Sequence, residues 1–144
     1  MEKRAFICSS LRTPELREEN EKIATITDET GFDYYLPQRE LPYSTVKDSK
    51  LVFEANCREI DNSDFMIVNT NGLLYDNETI KGNIFSRRIV EGSGIEFEWG
   101  YGIGKKKPLI VYSTGFDPPF HRNYTTHTLE ELRQRLFKIA EKGF

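Results

Sequence analysis

Short apolar runs alternate with longer charged segments along the chain, and each segment carries its own periodicity. Ala5-Phe6-Ile7-Cys8 is apolar and turns polar at once. Thr13-Pro14-Glu15 follows, a helix start with Thr as N-cap and Pro at the first position. This helix is expected to end near Gly31, which suits the residue just past a helix C-terminus. Phe32 to Leu36 reads as a second strand closed by Pro37, and Gln38 to Ser44, with Pro42, as loop. A helix from Asp48 to about Ile60 precedes Phe65-Met66-Ile67-Val68, apolar throughout as a strand covered on both faces should be. Periodicity fades from Asn71 to Gly92, a long connection with room for a short hairpin. Gly92-Ser93-Gly94 introduces a helix ending at Gly102 or Gly104, and Pro108 to Tyr112 is the next strand. The last helix opens with a capping box, Thr128 to Glu131, and places Leu129, Leu132, Leu136, Ile139 and Ala140 on one face.

This alternation predicts an α/β fold: one domain over residues 1–144, an open parallel sheet of four to five strands with helices on both faces. Such a three-layer sandwich, flavodoxin-like or Rossmann-like, binds ligands across the carboxyl ends of its strands where the strand order reverses. The segments to examine are therefore Ser9 to Arg12, Gln38 to Glu40, Asn69 to Gly72, Ser113 to Asp117 and Gly92 to Glu98.

Composition narrows the function. The 144 residues are 38% hydrophobic and 30% charged with a net charge of −3, and the basic residues are scattered, which argues against long nucleic acid as a partner. No run approaches a membrane span and the N-terminus lacks a signal sequence, so a cytoplasmic protein is expected. Cys8, Cys57, His121 and His127 form neither a disulfide framework nor a zinc motif, and no metal or organic cofactor is indicated.

Two residues break the amphipathic pattern. Asn56 sits between Val52 and Ile60 at i, i+4, i+8, in the middle of a buried stripe, where an unpaired amide costs roughly 1–3 kcal/mol. Glu98 shares the inward face of its helix with Ile95, Tyr101 and Gly102, so its carboxylate must be paired, raised in pKa or put to use. Gly92, Ser93 and Gly94 leave the backbone bare just ahead of it. Ser9, Ser10 and Arg12 come off the first strand ahead of a helix N-terminus and suit a phosphate. A structural role for each of these residues is the competing reading. Gly100-Tyr-Gly-Ile-Gly104 lies at the end of a helix, the reverse of a dinucleotide fingerprint, and reads as close packing and a C-cap.

Gly94-Ile-Glu-Phe-Glu98-Trp-Gly100-Tyr101, then Gly104-Lys and Lys107-Pro108-Leu-Ile-Val, resembles the nucleoside 2-deoxyribosyltransferase family. Phe6 to Ser10, Tyr35 to Arg39, Phe53 to Asn56 and Ile60 to Asp64 extend the likeness over nearly the whole chain. The resemblance implies cleavage of the N-glycosidic bond of 2′-deoxynucleosides or their 5′-monophosphates through a covalent glycosyl intermediate on Glu98, resolved by a second base or by water. It implies that Tyr101 or Tyr112 orients Glu98, that Asn56 and Gln38 contact the base, and that Ser10 and Arg12 hold the 5′ end, as in the monophosphate-hydrolysing branch. Asn71-Gly72 stands where the family has Asp-Gly after the third strand, and the 71–92 connection reads as a substrate lid or a surface insertion. Asn123 resembles a family Asn that enters a neighbouring subunit's site, which implies a homodimer or larger with Phe116 to His121 near the interface. Asn56 replaces a family Asp and Gly92 an Asp or Ser, so base protonation passes to Glu91, Asp117 or water. The same departures motivate an alternative, a catalytically silent nucleotide-binding module. Cleavage of a nicotinamide riboside bond is a third reading, by analogy of fold alone.

Overall fold

The computed structural model describes residues 2–11, 13–40, 49–72, 74–80, 83–91, 94–114 and 125–144, with backbone alone for 49, 72, 74–80 and 83–91. In chain order the elements are β1 (Arg4–Cys8), α1 (Pro14–Glu29), β2 (Asp33–Tyr35), α2 (Pro37–Glu40), α3 (Ser49–Asp61), β3 (Phe65–Asn69), β4 (Leu74–Ile80), β5 (Asn83–Glu91), α4 (Ile95–Gly104), β6 (Leu109–Tyr112), β7 (Thr125–Thr126) and α5 (Leu129–Lys142). A short 3-10 turn, Thr70–Gly72, follows β3.

Five strands form one sheet in the order β2-β1-β3-β6-β7, every neighbouring pair parallel. The α/β architecture expected from the alternation is thus present. Alternation along each strand sorts the side chains into two layers, as the two-residue period requires. Ala5, Ile7, Phe65, Ile67, Ile110 and Tyr112 face α1 and α5, packing on Ile23, Leu132 and Leu136. Phe6, Cys8, Met66, Val68 and Val111 face the other way, onto Ile60 of α3 and Ile95 and Trp99 of α4. The order reverses at β1, whose neighbours are β2 on one side and β3 on the other, so the binding crevice of this topology opens at the carboxyl ends of β1 and β3.

Local chemistry accounts for the element ends. Thr13 Oγ1 accepts from the Leu16 N–H at 3.1 Å and Pro14 opens α1, while Gly31 follows its end at φ +89°. Thr128 Oγ1 accepts from the Glu131 N–H at 3.0 Å, and the Glu131 carboxylate turns back to the His127 N–H at 2.8 Å.

Several elements depart from the pattern-based expectation. The second strand is only Asp33–Tyr35, because Phe32 and Leu36 pack into the core from its ends without pairing, and Pro37–Glu40 is a turn of helix where loop was expected. The aperiodic connection holds an antiparallel hairpin, β4 with β5, that forms its own two-stranded sheet. A fifth strand, β7, is too short to leave a sequence signal. Ala140 is exposed, so the buried stripe of α5 is Leu132, Leu136 and Ile139. α4 ends at Gly104, one of the two ends expected, but its cap is not a glycine. Gly104 is still helical, and the left-handed residue is Lys106 at φ 58°, with Lys106 N–H donating to Ile103 O at 2.9 Å and Lys107 N–H to Gly102 O at 3.0 Å. Lys106→Gly therefore relieves an unfavourable φ, and is expected to raise stability by about 0.5–1 kcal/mol as a shift of the urea midpoint. A midpoint that stays or falls would refute this.

Candidate functional site

The site is assembled at the end of β1 from three elements. Gly94, at φ +89°, turns the chain into α4, and Ile95, Trp99 and Gly102 bury one stripe of that helix against the sheet. The approach is close because Gly102 has no side chain: a Cβ there would lie 2.1 Å from Met66 Sδ of β3. Glu98 lies beside this stripe and is carried to the edge of β1, where Cys8 points into the same layer. Asn56, 3% exposed, comes from the buried face of α3.

The two carboxylate oxygens of Glu98 are held differently. Asn56 Nδ2 donates to Oε1 at 2.7 Å, and the Cys8 thiol donates to Oε2 at 3.3 Å. Burial pushes the Glu98 carboxyl up to about 7; both hydrogen bonds pull it down and the nearby Glu96 charge raises it further. Burial likewise holds the Cys8 thiol well above its ordinary range, with the Glu98 charge adding to the effect, so Cys8 is a neutral donor. A carboxyl with a pKa near neutrality, partly buried at the carboxyl end of the parallel strands, is equipped to act as a nucleophile or as an acid and base.

Of the other predicted residues, the structure brings some into a second, neighbouring network. Ser9 and Ser10 are buried at the end of β1; Ser9 Oγ has no partner among the described residues, and Ser10 O accepts from Asn20 Nδ2 at 3.0 Å. Gln38 spends its amide on α1: Nε2 donates to Arg17 O at 3.0 Å and Glu21 Oε1 at 2.8 Å, and Oε1 accepts from Asn20 at 3.1 Å. Asn71 joins the loops after β3 and β6, since Nδ2 donates to Glu19 Oε1 at 2.9 Å and Oδ1 accepts from the Thr114 N–H at 3.0 Å and Oγ1 at 3.1 Å. Asn69 completes this lattice, donating to Glu19 at 2.9 Å and Asn20 at 3.1 Å.

The orienting role expected of the tyrosines is not what the geometry gives them. The Tyr101 hydroxyl donates to the Asp61 carboxylate, at 2.9 Å from its nearer oxygen, because its side chain reaches the end of α3. Tyr112 packs on the α1 and α5 side of the sheet, the face opposite Glu98. Arg12, Gly92, Ser93, Asp117 and Asn123 lie outside the described residues, as does Phe116 to His121, and Glu91 is described by its backbone alone.

Pattern reasoning missed Cys8 and the pair Glu19 and Asn20. Asn20 had a signal: it stands one turn before Ile23 and Ala24 on the buried face of α1, the same violation that marked Asn56. Cys8 had none, since a strand-end cysteine reads as one more apolar residue.

Three comparisons bear on this arrangement. Over residues 5–132 the sequence matches the model of a family described as nucleoside 2-deoxyribosyltransferase. The fold is similar to that of a 2-deoxyribosyltransferase from Bacillus psychrosaccharolyticus, with a TM-score of 0.66, 14% identity and 90% of each chain covered. A conserved protein from Enterococcus faecalis V583 gives a TM-score of 0.66 at 17% identity, covering 96% of this chain and 99% of that one. A CMP N-glycosidase from Clostridium botulinum gives 0.54 at 12% identity, covering 93% and 98%. No curated protein matches the chain.

Proposed function

Because the chain belongs to the nucleoside 2-deoxyribosyltransferase family, we propose that it cleaves the N-glycosidic bond of a 2′-deoxynucleoside or its 5′-monophosphate, with Glu98 as the nucleophile. The observation that carries this reading is the Glu98 carboxylate itself, partly buried at the end of β1 with a separate donor on each oxygen. In the first step a Glu98 oxygen forms a bond to C1′ while the C1′–N bond breaks and its electron pair leaves with the base. The departing nitrogen takes a proton from water. In the second step water, or the ring nitrogen of another base, attacks C1′ and returns Glu98 to a carboxylate. Glu98 must be ionised to attack, so the rate rises with pH through about 7.

Asn56, whose Nδ2 holds Glu98 Oε1, offers its remaining amide oxygen to the base; Gln38 contributes from the neighbouring network. Ser9, Ser10 and Arg12 hold the 5′ end, with Gly92, Ser93 and Gly94 giving the sugar access to Glu98. On this reading Asn123 completes the site of a neighbouring copy, and the active species is a homodimer or larger. Asn56 cannot deliver a titrating proton, which supports one rival: a module that binds nucleotides and leaves them intact.

Incubation with a 2′-deoxy-2′-fluoro nucleoside or monophosphate is expected to add one fluorosugar mass to the intact protein, mapped to Glu98 by peptide analysis. Product chromatography alongside separates transfer from hydrolysis. Stabilisation by a nucleotide that is recovered unchanged, with no adduct, would establish the binding module instead.

A further inference from the structure

We propose that Cys8 is a positioning residue for Glu98: its thiol restrains Oε2 with a weak donor while Asn56 anchors Oε1 with a strong one, so that Oε2 is the oxygen that attacks. This rests on Glu98 being the nucleophile.

The asymmetry is in the contacts. An amide N–H at 2.7 Å is a firm hydrogen bond, whereas a thiol at 3.3 Å is a weak one that leaves most of the oxygen's basicity intact. Cys8 is 0% exposed, so no water competes for its proton. A second acceptor lies in reach, because Ile95 O is 3.6 Å from the same sulfur. As Oε2 gives its lone pair to C1′ and loses its charge, the thiol can turn to Ile95 O, and the oxygen is released without stranding a buried donor. A hydroxyl in place of the thiol would bind the charge more tightly and blunt the attack. Among the described residues Glu98 is acted on by Cys8 from β1, Asn56 from α3 and Glu96 from α4, and its charge is felt in turn by Tyr35 of β2 and Cys57 of α3.

The test compares Cys8→Ser and Cys8→Ala by the pH profile of kcat. Serine, a stronger donor, is expected to move the acid limb to lower pH and reduce the limiting rate; alanine, with no donor, to move it to higher pH, each by about half a pH unit or more. A purely structural cysteine would change the rate and leave the limb in place. Infrared spectroscopy of a Cys57→Ala protein supplies a readout that needs no turnover and no change at Cys8. The remaining S–H stretch should fall in frequency as Glu98 ionises and be indifferent to pH when Glu98→Gln is added. Limbs that stay put or move together, or an S–H band blind to pH, would overturn the role of Cys8 while the fluorosugar adduct still marks Glu98. Absence of that adduct removes the nucleophile and this inference with it.

Discussion

Glu98→Gln is expected to lower kcat by at least about 10³-fold, the scale on which loss of a nucleophile is felt, while making the fold more stable above neutral pH. Glutamine keeps an oxygen for the Asn56 N–H and fills the same volume. It cannot form a glycosyl ester of comparable reactivity. The stability gain follows from linkage. Glu98 titrates near 7 in the folded chain and at its ordinary 4.5 when unfolded, so between those values the folded state retains a proton that the unfolded chain releases. Stability conferred by the neutral acid is full below 4.5 and is lost as pH rises through 7, where the buried charge costs about 3 kcal/mol on the usual conversion of pKa shift to energy. A glutamine escapes that cost. Melting curves for the two proteins should converge near about pH 5 and separate by several degrees near about pH 8.5, the variant melting higher. A variant less stable than the parent by the same margin at both pH values would show that Glu98 is not strained by its surroundings.

Ile67→Ala is expected to produce the opposite combination, a large loss of stability with little change in turnover per folded molecule. Ile67 is fully buried in the middle of β3, opposite Ile7 of β1 and Ile110 of β6, with its side chain in the α1 and α5 layer. Removing its branched end leaves a cavity in the middle of the sheet, at about 2–5 kcal/mol. Against a total of about 5–15 kcal/mol this is a substantial fraction. Urea denaturation should show the midpoint falling with the slope unchanged. Because Glu98, Cys8 and Asn56 occupy the other side of the sheet, kcat referred to folded protein should stay within about twofold, as expected for sites that share no partners. A loss below about 1 kcal/mol would mean the core collapses around the gap.

How much of this could be read in advance depended on whether a residue's role is local. The main helices and the inner strands are legible because periodicity and caps such as Thr13 and Thr128 are properties of a few consecutive residues. Glu98 and Asn56 are legible for a related reason, since a polar group on an apolar stripe declares a conflict that something must resolve. Their mutual hydrogen bond resolves part of it and leaves Asn56 Oδ1 without a partner among the described residues. Cys8 is different: its significance exists only once α4 has docked. Tyr101 marks the limit of helical spacing, because a position three residues from Glu98 shares its face, yet a long side chain is drawn to whatever lies at its tip, here Asp61. Lys106 shows that a glycine-rich helix end does not fix which residue takes the left-handed turn. The hairpin was legible only as a possibility inside an aperiodic stretch, because β4 and β5 pair with each other and not with the main sheet.

The strand that carries Cys8 and the helix that carries its hydrogen-bond partner Glu98 are far apart in the chain, the two residues being 90 positions from each other. Both neighbours of that strand arrive by a crossover, so a nascent chain halted before α4 holds three of the sheet's five strands and lacks the Glu98 carboxyl. The assembly of Cys8, Asn56 and Glu98 is thereby tied to the slowest class of event in folding, the closure of distant contacts, and on the reading proposed above a fragment that lacks α4 has no carboxylate with which to attack.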